Sequence, residues 1–199
     1  LPQQSPQSRP ALRRALLARR AALAPAARAA AQRRILEQVS RLPALRPGAA
    51  VGLYVSRGSE VATGSIRALA RSRGCRVYLP LITDRENIQM EFHADHGRPL
   101  RQNRYQIGEP IGGRLIAAPA LALVLMPLVG MDDAGNRLGN GAGYYDRWLA
   151  FRLGTRGTPL LVGLAFECQR HAFIAPQAHD VPLDAVITEN GLQLFAPRH

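Results

Sequence analysis

The sequence predicts an α/β fold: a three-layer α/β/α sandwich on a mainly parallel sheet, with a helical arm at the N-terminus. Three observations carry this expectation. Short unbroken apolar runs such as "VGLYV", "LALVLMP" and "LLVGLAF" read as strands buried on both faces. Segments with helical periodicity alternate with them, as crossovers between parallel strands require. A chain of 199 residues at 47% hydrophobic is enough for one well-packed unit and too short for two generous ones. Residues 1–199 are therefore read as a single domain, with 1–45 forming a basic helical arm packed on it.

The elements follow in chain order. Residues 9–23, "RPALRRALLARRAAL", form a helix with Pro10 in its first turn, and "PAARAAAQRRILEQVSRL" restarts at Pro25. At about 100° per residue, Leu12, Leu16 and Leu23 make a narrow stripe with Arg9, Arg13 and Arg20 beside it. The leucines dock and the arginines border the contact. "AAVGLYVS" (49–56) is a strand, "GSIRALARS" a helix opened by Thr63 and stopped by Gly74, and "CRVYLP" a second strand, which together make a βαβ unit. "QMEFHA" adds a strand, 121–127 is a central one, "YYDRWLAFRL" is a helix, and 160–166 is a further strand. "AVITENGLQLF" ends in two short strands about Asn190-Gly191, a hairpin pair. Ligands of such sheets sit outside the carboxyl ends of the strands, so the site is expected among residues 56–63, 95–120 and 128–143.

Composition excludes several classes of function. Arginines interrupt every alanine-leucine run, so no stretch reaches the roughly 18 apolar residues of a membrane span. Cys75 and Cys168 stand far apart outside any CxxC spacing, which argues against a disulfide scaffold or structural zinc and fits a reducing cytoplasm. Residues 11–36 have the Arg-rich, acid-poor composition of a transit peptide, yet an ordinary surface helix is the expected reading. The net charge of +12 comes from arginine alone, and ten of the 26 arginines lie in residues 1–50 against the single acid Glu37. That surface attracts anions. Nucleic acid is not the expected partner, because the first aromatic is Tyr54 and no stacking platform lies among these arginines.

The stretch "NRLGNGAGYYDRW" (136–148) is the most informative. Gly139, Gly141 and Gly143 alternate, so backbone N–H groups can approach an anion before the chain enters a helix whose N-terminus favours negative charge. It is neither a Walker loop nor a dinucleotide fingerprint. By glycine spacing alone it fits equally a long strand-to-helix turn with Tyr144 and Trp148 as core. The neighbours tilt the balance: Arg137 before the loop can clamp phosphate oxygens, and Asp146 after it can hold Mg²⁺.

"MPLVGMDDAGNRLGNGAGYYDRWL" resembles the signature of 5-formyltetrahydrofolate cyclo-ligases, also called 5,10-methenyltetrahydrofolate synthetases. "RPALRRALLARR", "YVSRGSEVAT", "VYLPLI", "IGEP", "LVGLAFECQ" and "HDVPLDAVITE" fall in that family's order, so the resemblance covers nearly the whole chain. It implies conversion of 5-formyltetrahydrofolate to 5,10-methenyltetrahydrofolate with ATP and Mg²⁺, releasing ADP and phosphate through a phosphorylated formyl intermediate. The protein's part is then chiefly positioning and charge neutralisation.

The resemblance also implies residue roles. Arg9, Arg13, Arg137, Gly139, Asn140, Gly141, Ala142, Gly143, Tyr144 and Tyr145 would bind ATP, with Arg137 and Tyr145 catalytic. Glu60, Tyr144 and Tyr145 would contact the folate. Asp146 and Asp184 would hold the metal, although Asp184 also reads as a cap before a strand. Arg9 replaces the family's lysine, exchanging a point charge for a planar fork, and Asn140 and Ala142 depart from the usual loop residues. His93 and His96 would face opposite sides of an extended segment, against a metal pair. His179-Asp180 reads as a rim link, Cys168 as packing, and Glu109-Pro110 as shaping the folate side. The partners implied are small molecules acting on a monomer, without membrane. Two other readings remain at this point: a non-catalytic basic RNA-binding or assembly protein, and an ATP-using enzyme for another carboxylate substrate.

Overall fold

The computed structural model describes residues 8–103, 107–155 and 157–196. The first seven residues of the expected arm lie outside the described residues. Two helices open the chain, α1 (Arg9–Ala21) and α2 (Pro25–Ser40), each with proline in its first turn. There follow β1 (Ala50–Gly52), α3 (Gly64–Ser72), β2 (Arg76–Asp84), β3 (Gln89–Ala94), β4 (Arg101–Gln102), β5 (Gly108–Glu109) and β6 (Leu115–Ile116). The second half holds β7 (Leu123–Pro127), β8 (Gly130–Met131), β9 (Arg137–Leu138), α4 (Tyr144–Trp148), β10 (Leu160–Leu164), β11 (Ala185–Thr188) and β12 (Gly191–Leu194).

The main sheet has the order β12-β11-β10-β7-β1-β2-β3-β6. Its five central strands are parallel, β12 and β3 run against them on the two sides, and β6 pairs antiparallel with β3 at the edge. The unbroken apolar runs now have their reason, because alternate side chains enter two separate cores. Val51, Leu123, Leu125 and Val162 meet Ile35 and Val39 of α2 and Ile66 of α3. Val124, Met126, Leu161 and Val186 face the other way, toward α4, Leu149 and Phe195. Both faces are covered, and β1, β7 and β10 accordingly carry no polar side chain. The second helical layer is thin: α4 has five residues, and Trp148 stacks on Phe92 of β3 with ring centroids 4.4 Å apart.

Helix α1 covers the carboxyl end of the sheet. Leu12 and Leu16 pack on Val129, Leu138 and Ile174, a third cluster centred on the β8-β9 hairpin. Gly130 permits this approach, since a Cβ there would collide with Leu16. Leu23 lies past the end of α1 and packs with the α2 cluster instead of completing the Leu12-Leu16 stripe. Arg20 is not a border residue either: it is 5% exposed and donates to Ser59 Oγ at 2.9 Å and to the Leu128 carbonyl.

Two expected elements end early, and one expected cap bond is not made. The strand expected over 49–56 ends at Gly52, because the Tyr54 carbonyl accepts from the Thr63 hydroxyl at 2.7 Å and the chain leaves the sheet there. For the same reason Thr63 makes no side-chain cap on α3. The helix expected over 144–153 is broken at Leu149 and continues as a 3₁₀ turn at Ala150–Arg152. Arg152 is thereby turned inward, where its guanidinium donates to the carbonyls of Gly157 and Pro159 and to Asp184. No helix among the described residues is long and apolar enough to cross a membrane.

Leu16 is fully buried between helix and hairpin. Leu16→Ala is therefore expected to cost about 2–5 kcal/mol of stability. Urea titration should show this as a lower midpoint with an unchanged slope.

Candidate active site

Beyond the carboxyl ends of β1 and β7, a cleft of about 810 Å³ opens around Tyr54, Val55 and Pro127. All three segments in which the sequence places a site contribute to it: 57–60, the β4-β5 hairpin, and 137–143. Helix α1 closes one side with Arg9, Arg13 and Arg20. On the other side stand Pro80 and Ile82 of β2 and Met90 of β3. The strand order puts these walls on opposite sides of β1, since α1 packs on the turn after β10 while β2 and β3 lie beyond β1.

The glycine loop is held at both ends. Asp132, 1% exposed, accepts from the backbone of Ala134, Asn136 and Ile174 and from the Asn136 side chain, which fixes the turn ahead of β9. Arg137 then donates to Asp146 Oδ1 over 2.5 Å, spanning the loop from β9 to the first turn of α4. Asp146 Oδ1 also accepts from the Val181 amide at 3.1 Å, and Oδ2 has no partner among the described residues. Between these anchors Gly141 and Gly143 adopt φ of +105° and +77°, backbone that an L side chain rarely takes. Space is open where a Gly143 Cβ would be, and beside Gly141 the corresponding position lies 3.5 Å from Arg13 Cζ.

Cations surround this loop, several of them already paired. Arg13 Nε donates to the Gly139 carbonyl at 2.9 Å, whereas Arg9 is bound to Asp180 at 2.7 Å and to the Ala175 carbonyl. Burial lowers the Arg20 guanidinium from its ordinary value, and nearby Glu60 works against that shift. Glu60 itself accepts from the Arg57 amide at 2.8 Å and from Asn140 at 3.4 Å. Two buried donors have no partner among the described residues, Arg137 Nε and the Tyr145 hydroxyl, and both belong to residues that line the cleft. Burial, then Glu60, pushes the Tyr145 phenol well up, so it stays protonated and able to donate.

Residues 5–189 match the model of the 5-formyltetrahydrofolate cyclo-ligase family. A 5-formyltetrahydrofolate cyclo-ligase of Haemophilus influenzae is 30% identical over 158 residues, covering 77% of this chain and 82% of its own. That of Escherichia coli K12 is 33% identical over 141 residues, or 69% and 76% of the two chains. The chain belongs to the 5-formyltetrahydrofolate cyclo-ligase family. The fold agrees: a solved 5,10-methenyltetrahydrofolate synthetase of Aquifex aeolicus superposes with a TM-score of 0.82 at 24% identity, covering 96% of this chain and 94% of that one. The reaction of this enzyme family is conversion of 5-formyltetrahydrofolate to 5,10-methenyltetrahydrofolate.

Of the residues singled out from the cyclo-ligase resemblance, the structure gathers all but one in the cleft. Arg9, Arg13, Glu60, Arg137, residues 139–145 and Asp146 line it together. Asp184 does not. It precedes β11, at the amino end of the parallel strands and away from the cleft, where both its oxygens accept from Arg152 at 3.1 Å and Oδ2 from the Leu161 amide at 2.8 Å. Arg152 and the Leu161 amide thus engage both its oxygens, which gives Asp184 a structural part in tying these two residues to the start of β11 and sets it apart from Asp146. His93 is likewise engaged, by the Gly113 carbonyl and Glu91, and the described residues hold no cluster of three His, Cys, Asp or Glu suited to a metal. Asp180 pairs closely with Arg9, and the expected rim link to His179 is a longer contact, 3.9 Å from Nε2 to Oδ1.

Sequence reading placed Arg20 only at the border of the helix contact, with no part in the site, and left out Asn103 and the organising role of Asp132. For Arg20 the signal was available, since the spacing 9, 13, 20 puts it on the arginine edge of α1. Gly143→Ala should cost about 1–2 kcal/mol from left-handed backbone strain alone, because nothing obstructs the new methyl group. Chemical denaturation measures it, and an unchanged stability would show that the loop relaxes out of this conformation.

Proposed function

We propose that the cleft closes 5-formyltetrahydrofolate to 5,10-methenyltetrahydrofolate at the expense of ATP, with Mg²⁺, releasing ADP and phosphate through a phosphorylated formyl intermediate. The observation that carries this reading is the pair of buried, unpartnered donors, Arg137 Nε and Tyr145 OH, beside a glycine loop in left-handed backbone. Such a cradle suits a phosphate that must be neutralised in a transfer step. In the reaction, the formyl oxygen attacks the γ-phosphorus and ADP departs. N10 then attacks the formyl carbon and loses its proton, and the C–O bond breaks to release phosphate.

The chain's own residues have distinct parts. Gly139, Asn140, Gly141, Ala142 and Gly143 would offer loop backbone to phosphate oxygens, with Arg13 and Arg137 supplying charge. Arg9, tied to Asp180, would reach ATP from the rim. Tyr144 and Tyr145 would stand between the two substrates. Tyr145, kept protonated by burial, would donate to the oxygen that gains charge. Glu60 would orient the folate. Asp146 fits a metal that is bound mostly by phosphate and water, since Arg137 and Val181 occupy Oδ1 and leave Oδ2 open. Bound Mg²⁺ would offset phosphate charge at that oxygen.

In this reading residues 1–199 act as one cyclo-ligase unit with the 1–45 arm delivering Arg9 and Arg13. The enzyme is taken as a cytoplasmic monomer, consistent with two free cysteines.

Purified protein is expected to generate methenyltetrahydrofolate absorbance from 5-formyltetrahydrofolate only with Mg²⁺ and ATP, and Asp146→Ala to abolish or greatly slow it. Product without ATP, or none from folded wild-type protein, would sink the reading. Tyr145→Phe should lower kcat about 10²-fold, the usual effect of one well-placed donor. Because burial raises the wild-type phenol, its loss of a proton should produce no fall in rate at mildly alkaline pH; a wild-type alkaline limb absent from Tyr145→Phe would contradict this.

A further inference from the structure

One buried carboxylate in the cleft has no part in the scheme above. Glu109 of β5 is 8% exposed and lines the cleft across from the cations of α1. Its Oε1 accepts from Asn103 Nδ2 at 2.9 Å, and Asn103 is held in turn by accepting the Ile107 amide at 3.1 Å. No cation pairs with Glu109 among the described residues, and Oε2 has no partner there. Its neighbours include apolar groups: β5 packs on β2, whose Pro80 and Ile82 line the cleft, as do Met90 of the adjoining β3 and Ile107 of the same hairpin. A carboxylate set among such walls without a cation is costly unless donors reach it, so its retention in the cleft points to a ligand that carries donors.

We infer that Glu109 is the recognition residue for the pterin head of the folate, accepting the paired N–H donors of its pyrimidine ring. This rests on the cyclo-ligase reading and adds to it a specificity element and a direction of binding. The pterin of 5-formyltetrahydrofolate presents the 2-amino group and N3–H side by side, two donors on one edge of a flat ring. An ionised carboxylate is an acceptor only, with more than one lone-pair site on each oxygen. Oε2 takes one donor, and Oε1 takes the other while keeping Asn103. Met90 and Ile82 then contact the ring faces, and the reacting N5 side is turned toward Tyr145 and the glycine loop. A single Asn103 bond fixes the carboxylate plane beforehand, so little ordering is left for the binding step. ATP has the opposite demand, many acceptors and few donors, and is repelled by an unpaired carboxylate. The same residue thus keeps the two substrates from exchanging ends.

The test uses full-length wild type, Glu109→Gln and Glu109→Ala, each checked by thermal melting, with 5-formyltetrahydrofolate and its 2-desamino analogue titrated calorimetrically. Wild type is expected to bind the parent folate about 10- to 100-fold more tightly than the analogue, the worth of a charge-assisted buried hydrogen bond. Both variants should weaken parent binding by a similar factor, lose discrimination between the two ligands, and leave the KM for ATP unchanged. Equal affinity of wild type for the two ligands, or undiminished discrimination in either folded variant, overturns the assignment. A parallel rise in the ATP KM also overturns it, since that marks a general disturbance of the cleft. Wild-type turnover is scored separately: protein that binds and discriminates without making product defeats the cyclo-ligase reading and leaves Glu109 as a pterin site. Protein that turns over with undiminished discrimination in Glu109→Gln defeats only the present inference.

Discussion

The bond from Arg137 to Asp146 Oδ1 is the constraint on which the rest of the cleft depends. Its two ends lie on different elements, β9 and α4, and it ties the start of the glycine loop to its end. Arg137 is 5% exposed, so neither charge could be held there without the other. The pair also extends outward. Val181 donates to the same carboxylate oxygen, which brings the 175–181 segment against the site, and Asp180 in that segment then captures Arg9 of α1. Arg13, one turn further along α1, returns to the loop at the Gly139 carbonyl. The N-terminal arm is consequently part of the site wall and not an appendage beside it.

This arrangement changes how the net charge of +12 should be understood. Much of the positive charge around the cleft is already compensated: Arg9 by Asp180, Arg137 by Asp146, Arg67 at a distance by Asp95. What the cleft retains is a set of oriented N–H groups whose charge is partly neutralised. Such groups cost less to bury than bare cations and remain strong donors to an anion. The surplus of arginine therefore gives placed hydrogen-bond donors near the loop and a general attraction for anions farther out, and only the first can distinguish one phosphate position from another.

Local chemistry made a large part of this legible from sequence. Apolar runs fixed the central strands, proline and glycine marked the helix ends, and the loop from Arg137 to Asp146 could be read as a cradle because its residues are neighbours in the chain. Long-range competition decided what sequence could not show. Thr63 has the residue type of a helix cap, yet the Tyr54 carbonyl takes its hydroxyl from nine positions away. Asp184 sits in a family motif with a carboxylate suited to a metal, yet Arg152 and the Leu161 amide claim both oxygens. Arg20 looks like a surface cation, since its spacing cannot reveal that Ser59 and Leu128 lie beneath it. In each case the residue type was informative and its partner was not.

The two walls of the cleft differ in kind, and the sheet order explains why. Helix α1 can dock only where the β8-β9 hairpin offers Gly130 and an apolar shelf, which lies on the β10 side of β7. The antiparallel pair β2-β3 extends the sheet on the other side, carries few charges toward the cleft, and supports the hairpin that bears Glu109. Arginine therefore concentrates at one end, and at the other stands Glu109, which has no cation partner among the described residues; Tyr145 is edge-on to Phe92 of β3. A ligand pair with acceptor-rich phosphates and a donor-edged ring matches this polarity in one orientation only. Reversing it would set phosphate against Glu109 and ring N–H groups against guanidinium N–H groups, so both ends would be mismatched at once. On the cyclo-ligase reading, the strand order that builds the fold would also set the direction in which the substrates meet.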